Sequence, residues 1–131
     1  MSAPAQRRQV AVLFTSTFLE DGTSSLRRGG SVRVTLDFAG LLQDSGFAVM
    51  VVQKAASTGR IMLDNGIEVV SIACPTRSWS DFLFALKSRR IAATADLCGY
   101  LTPELGFPFY AQNSFAVQHG IWWDGPGYRS I

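Results

Sequence analysis

Two short turns carry residue types suited to chemistry: Arg28-Gly29-Gly30, which opens onto an apolar-periodic run, and Gln118-His119-Gly120, which closes another. A glycine pair at a helix entrance lets the main chain approach an anion, and the helix dipole with its unpaired N–H groups favours phosphate there. His119 is the only histidine. It follows Phe115-Ala116-Val117-Gln118, so it is expected at a strand's carboxyl end, offering a ring nitrogen to a ligand hydroxyl or phosphate. Trp122, Trp123 and Asp124 come directly after. Indole rings stack on the apolar faces of sugars and carboxylates accept hydroxyl hydrogens, while exposed tryptophans equally suit a partner interface. Each turn also has a plainer reading, a tight bend for Gly29 and Gly30 and a satisfied core residue for His119. Their order within an alternating strand-helix pattern points to a sugar-transfer site.

The elements that must position these turns follow from periodicity. Val10 to Phe14 is a continuous apolar run of the kind expected for a strand covered on both faces. Ser31 to Ser45 places Val34, Phe38, Leu41 and Leu42 at helical spacing, with Ser31 as N-cap and Gly46 as the left-handed residue past the end. Phe47 to Val52 then returns to a strand and completes a βαβ unit. Ile67 to Ile72 is a third strand after the turn Asp64-Asn65-Gly66, with Ile61-Met62-Leu63 able to pair with it as a hairpin. A second helix starts near Ser78 or Ser80, and Trp79, Phe82, Leu83 and Leu86 form an apolar stripe expected to face the sheet. Asp96 to Leu101 and Ser114 to Gln118 are the last strands, separated by residues 102–108, where Pro and Gly predict irregular chain or a short helical turn. The order implies one α/β domain over residues 1–131: a three-layer, Rossmann-like fold with a mostly parallel sheet, whose ligands collect at the strands' carboxyl ends.

Composition narrows the chemistry. With 131 residues, 47% hydrophobic and 17% charged, the chain has the makings of an ordinary globular core. A net charge of +2, with arginines in scattered pairs, gives no basic stripe for nucleic acid. Cys74 and Cys98 form no CxxC pair, so free, buried thiols are expected and no metal site. No G-x-G-x-x-G follows the first strand, no acid ends the second where Val52-Gln53-Lys54 stand, and neither a P-loop nor a G-x-S-x-G elbow is present. Dinucleotide oxidoreductases, P-loop enzymes and serine hydrolases are disfavoured. The connection from Phe14 to Ser31 is much longer than the roughly two to six residues usual in α/β units, which marks it as functional.

The stretches Arg28-Gly29-Gly30-Ser31-Val32-Arg33 and Gly46 to Val52 resemble the opening of GT-B glycosyltransferases of family 4, in which a Gly-Gly loop leads into the first helix. Val117-Gln118-His119-Gly120 resembles the later histidine-glycine turn of the same N-terminal domain, and Ala95-Asp96-Leu97 the strand start before it. The likeness covers about residues 9–126. It implies a retaining, metal-free transfer of sugar from a nucleotide-sugar donor to a glycan or lipid-linked acceptor, as in polysaccharide biosynthesis. His119 would then be catalytic, Gly29, Gly30 and Gly120 would contact the donor phosphate or sugar, and Arg28, Trp122, Trp123 and Asp124 would bind the acceptor. The nucleotide-sugar serves as co-substrate, with no cofactor. The family's second, donor-binding domain does not follow Ile131. The resemblance therefore implies a fragment, inactive as a transferase until joined by a C-terminal domain or subunit.

Two further expectations stand beside that one. A non-catalytic Rossmann-like module, binding a phosphorylated ligand or a protein partner, satisfies the same pattern. Lys87, Arg89 and Arg90 beside Phe84 and Ile91 would give the second helix a peripheral membrane contact, against the commoner reading of a solvated helix face. With an apolar run of only Val10 to Phe14 near the start, a cytoplasmic protein at the inner face of the membrane is expected.

Overall fold

The computed structural model describes residues 8–20, 23, 25–74 and 79–117. The elements run in order β1 (Val10–Thr15), α1 (Gly30–Asp44), β2 (Ala48–Ala55), β3 (Gly59–Met62), β4 (Glu68–Ala73), α2 (Ser80–Thr94), β5 (Leu97–Tyr100), a 3-10 turn (Pro103–Leu105) and β6 (Ser114–Ala116). They build one six-stranded sheet of order β3-β4-β2-β1-β5-β6. Every neighbouring pair is parallel except β3–β4, which is the antiparallel hairpin expected from Asp64-Asn65-Gly66. Gly66 takes a φ of 85° in that turn, and the Ile67 N–H donates to Asn65 Oδ1 at 3.1 Å.

Alternation along the strands divides the core between the two faces of the sheet. Val12 and Phe14 of β1 join Val52, Val70 and Ile72 under α2, where Phe84 and Ala92 close the layer. Leu13 points the other way and joins Val49, Val51 and Val69 under α1, through Val32 and Ala39. The result is a Rossmann-like α/β fold with a mostly parallel sheet between helices, as the sequence pattern implied. The strand order reverses between β1 and β5, which run parallel: β1 leads by α1 to β2 on one side, while α2 returns the chain to β5 on the other.

Three local expectations are corrected. Ser31 is not the N-cap of α1. Gly29 is, at φ 143°, without a side-chain cap. Ser31 lies inside the first turn, and its carbonyl accepts the Thr35 hydroxyl at 2.8 Å. The buried line of α1 is Val32, Thr35 and Ala39, with Val34, Phe38 and Leu42 half-buried beside it and Leu41 63% exposed. The stripe assigned to α2 does not face the sheet. Phe84, Ala85, Ser88 and Ala92 do, leaving Trp79 70% and Phe82 38% exposed. The short residues Ala85, Ser88 and Ala92 let the helix approach the strands, which the rings of Trp79 and Phe82 would prevent. Gly46 is the left-handed residue after α1, at φ 96°, as its position implied.

Candidate functional site

At the carboxyl edge of the sheet, on the α1 face, polar side chains stand in a row across three neighbouring strands. Thr15 of β1 registers with Gln53 of β2, and Gln53 registers with Ser71 of β4. Thr15 and Gln53 are buried, so each must find hydrogen-bond partners. Gln53 Nε2 donates to Ser71 Oγ at 2.8 Å, and Gln53 Oε1 accepts the N–H groups of Phe18 at 3.0 Å and Leu19 at 2.8 Å. Where a dinucleotide-binding strand carries near its carboxyl end an acid that holds a ribose, β2 carries near its end a glutamine that holds the protein's own loop.

In that loop the described residues, 16–20, 23 and 25–29, are tied to one another and to the core. Leu19 and Leu26 form an antiparallel bridge, the Arg27 N–H donates to the Phe18 carbonyl at 2.8 Å, and Arg27 Nε donates to the Leu19 carbonyl at 3.1 Å. Phe18 and Leu19 are buried in the α1-side core. The loop thus forms a small hairpin arm lying over the end of β2 and delivering Arg28, Gly29 and Gly30 to the start of α1. All three are exposed, and a Cβ built at Gly29 or Gly30 would meet nothing within 4 Å. The turn is therefore open to solvent and not packed against the fold. The backbone of Gly29 still requires glycine, because its φ of 143° lies where other residues are strained.

Between this arm and the β3 hairpin lies a cleft of about 210 Å³. Gln53 and Ser71 are at its floor, Leu19, Glu20 and Thr23 on the arm side, and Ser57, Thr58 and Arg60 on the hairpin side. Arg60 pairs with Glu68 at 2.8 Å across β3 and β4. Among the described residues the lining is rich in hydroxyls, with Glu20 and the Glu68-paired Arg60 as its charged groups, suited to a small polar ligand. Its size is below the roughly 300 Å³ at which drug-sized sites begin.

On the opposite face of the same edge, Lys54 bonds Ser80 Oγ at 3.2 Å and pairs with Asp81 in the first turn of α2. Lys87 Nζ donates to the Ala73 carbonyl at 2.7 Å. Cys74 sits among these groups, half-buried, and burial raises its thiol pKa more than Lys87 and Lys54 lower it. It is a protonated thiol near neutral pH and not an activated nucleophile. Cys98 is buried, as expected of both cysteines, and burial pushes its pKa up to about 11. Among the described residues no group of three or more His, Cys, Asp or Glu could hold a metal ion, and no helix is long and apolar enough to cross a membrane.

Of the residues singled out in the sequence, Arg28, Gly29 and Gly30 are together at the entrance to α1. His119, Gly120, Trp122, Trp123 and Asp124 lie outside the described residues. The Val117 N–H donates to the Tyr100 carbonyl at 2.8 Å, so the chain reaches Val117 beside the carboxyl end of β5. Of the residues named for a membrane contact, Phe84 is wholly buried and Ile91 packs on the same core, while Lys87, Arg89 and Arg90 are exposed. Sequence reasoning passed over Thr15, Gln53 and Ser71 as site residues. Gln53 had left a trace, a polar residue closing an apolar strand.

No protein-family model matches the chain, and no curated protein matches it. Among solved structures it is similar to the DNA/pantothenate metabolism flavoprotein from Streptococcus pneumoniae, at a TM-score of 0.40 and 13% identity. The match covers 84% of this chain and 42% of that one, so the chain spans less than half the length of the flavoprotein. The glycosyltransferase resemblance is corrected here, since no family model, that of the glycosyltransferases included, matches the chain. The motifs behind the resemblance were short, and a glycine pair turns a chain into a helix whatever the ligand.

Proposed function

We propose that this chain is a Rossmann-like binding module for a small phosphorylated ligand. The hydroxyl-bearing part of the ligand occupies the cleft between the arm and the β3 hairpin, and its phosphate lies toward Arg60 or the Arg28-Gly29-Gly30 turn. The observation that supports this is the cleft itself, placed at the carboxyl edge where α/β sheets take ligands and lined by Thr23, Ser57, Thr58 and Ser71 beside Arg60. The arm supports it too, since Gln53 fixes one wall of the cleft in place before any ligand arrives. The volume suits a sugar phosphate or a nucleotide fragment and is too small for a dinucleotide.

Calorimetric titration with sugar phosphates and nucleoside monophosphates, each beside its dephosphorylated form, tests the reading. Binding in roughly the 10 µM to 1 mM range is expected for the phosphorylated member, with about tenfold loss in Arg60→Ala. Equal affinity for both members of every pair, or no heat with any of them, rejects it.

A further inference from the structure

The ligand cleft carries a charge that the described residues do not neutralise. Arg60, at its rim, is paired with Glu68 at 2.8 Å. Glu20, on the arm side, is exposed, and among the described residues no ion pair or hydrogen bond engages its carboxylate. Its main chain is nevertheless fixed. The Glu20 N–H donates to the Ser25 carbonyl at 2.8 Å, and the Glu20 carbonyl accepts the Thr23 N–H at 3.1 Å and the Thr23 hydroxyl at 3.0 Å. Leu19, directly before it, is buried and held by Gln53. The carboxylate thus lines the cleft from a fixed position with both oxygens available to accept.

Two hydroxyls in the same lining complement it. Ser71 Oγ accepts the Gln53 amide at 2.8 Å, and Thr58 Oγ1 accepts the Ala73 N–H at 3.1 Å. Neither hydroxyl donates to another described residue, which leaves each O–H to a ligand. The cleft therefore joins a double acceptor to two donors. A phosphate group only accepts, and it would meet the Glu20 charge. An ammonium only donates, and it would leave both O–H groups without an acceptor. A ligand hydroxyl does both, and two of them side by side match the two carboxylate oxygens.

We propose that Glu20 selects ligands with a vicinal diol, such as that of a ribose, whose two hydroxyls donate to the carboxylate while accepting from Ser71 and Thr58. The assignment rests on the reading of the cleft as the site of a small phosphorylated ligand, and it names the part of that ligand the cleft holds. In dinucleotide-binding sheets the acid that holds the ribose stands near the end of the second strand. Here Gln53 takes that place with both ends of its amide engaged, and the arm it anchors carries an acid back over the end of β2. Hydrogen bonds to a carboxylate are charge-assisted, so a sugar lacking one of the two hydroxyls loses a strong contact and not a neutral one.

Calorimetry with ribose 5-phosphate and 2-deoxyribose 5-phosphate tests it, because the deoxy sugar keeps the phosphate and, as a furanose, has no two adjacent hydroxyls. Ribose 5-phosphate is expected to bind about ten- to thirtyfold more tightly. Glu20→Gln should bring that preference within about threefold, while binding 2-deoxyribose 5-phosphate as the wild type does and unfolding in urea at the wild-type midpoint. Equal affinity for the two phosphates overturns the proposal, as does a preference that survives Glu20→Gln. Tighter binding of glucosamine 6-phosphate than of glucose 6-phosphate overturns it too, by showing that the carboxylate takes a cation. Failure of both pentose phosphates to bind overturns it equally. The phosphorylated-ligand reading falls with it only where phosphorylated and dephosphorylated forms across the wider series also bind alike.

Discussion

The Leu19 N–H donates to Gln53 Oε1 at 2.8 Å, joining residues 34 positions apart at the carboxyl edge of the sheet. Through this bond and its companion from Phe18, one buried amide ties the arm to β2, while its nitrogen ties β2 to Ser71 of β4. Hydrophobic burial brings Phe18 and Leu19 to the α1-side core, and Gln53 satisfies the main-chain donors that travel with them.

Replacing that amide should loosen the arm more than the sheet. Gln53→Ala removes three hydrogen bonds at a buried position and is expected to cost about 2 to 3 kcal/mol in urea unfolding. Hydrogen exchange at the Phe18 and Leu19 amides should rise well before exchange at Val12 or Val51 does. Uniform acceleration across the sheet would count against a local role.

Gly99 of β5 lies beside Phe115 of β6 in register. A Cβ there would stand 2.5 Å from the Phe115 ring and 2.8 Å from Leu13 Cδ2. Phe115 is held in turn by Phe38 of α1, with ring centroids 5.6 Å apart. Gly99→Ala should therefore destabilise by about 1 to 3 kcal/mol through overpacking. The double variant Gly99→Ala, Phe115→Leu should recover part of that loss, as thermal melts would show.

Tyr100 stacks on Phe14 at 4.8 Å, and its hydroxyl accepts the Ala111 N–H at 3.1 Å. Tyr100→Phe keeps the stack and orphans that donor, at an expected cost of about 1 kcal/mol. Tyr100→Ala also empties the core and should cost about 3 to 5 kcal/mol. Chemical denaturation of the pair separates the hydroxyl from the ring.

Burial raises the Cys98 pKa from 9.0 to about 11. The unfolded chain thus loses this proton at lower pH than the folded one, so the stability it contributes is present below pH 9 and is lost as pH rises toward 11. Cys98→Ala should flatten the fall in unfolding free energy across that window. At pH 8 a thiol reagent should modify Cys74 slowly and reach Cys98 only on unfolding.

The sequence by itself determined the alternation of strands and helices, the parallel frame and the hairpin at Asn65-Gly66. Each of these is a local matter: apolar period, turn chemistry and the short reach of a connection. Strand ends shifted, most at β2, where pairing with β4 extends the strand three residues past Val52 to Ala55. Tertiary structure decided the rest. Periodicity could not choose between the two apolar sides of α2, since both satisfy a 3.6-residue repeat. Close packing chose, seating Phe84 among Ala85, Ser88 and Ala92 against the strands and leaving the bulkier stripe outside. Nor could the sequence show that Gln53 serves the loop instead of a ligand. Its partners are the main-chain N–H groups of residues 18 and 19, which carry no side-chain signature and come into reach only when the arm folds over the sheet.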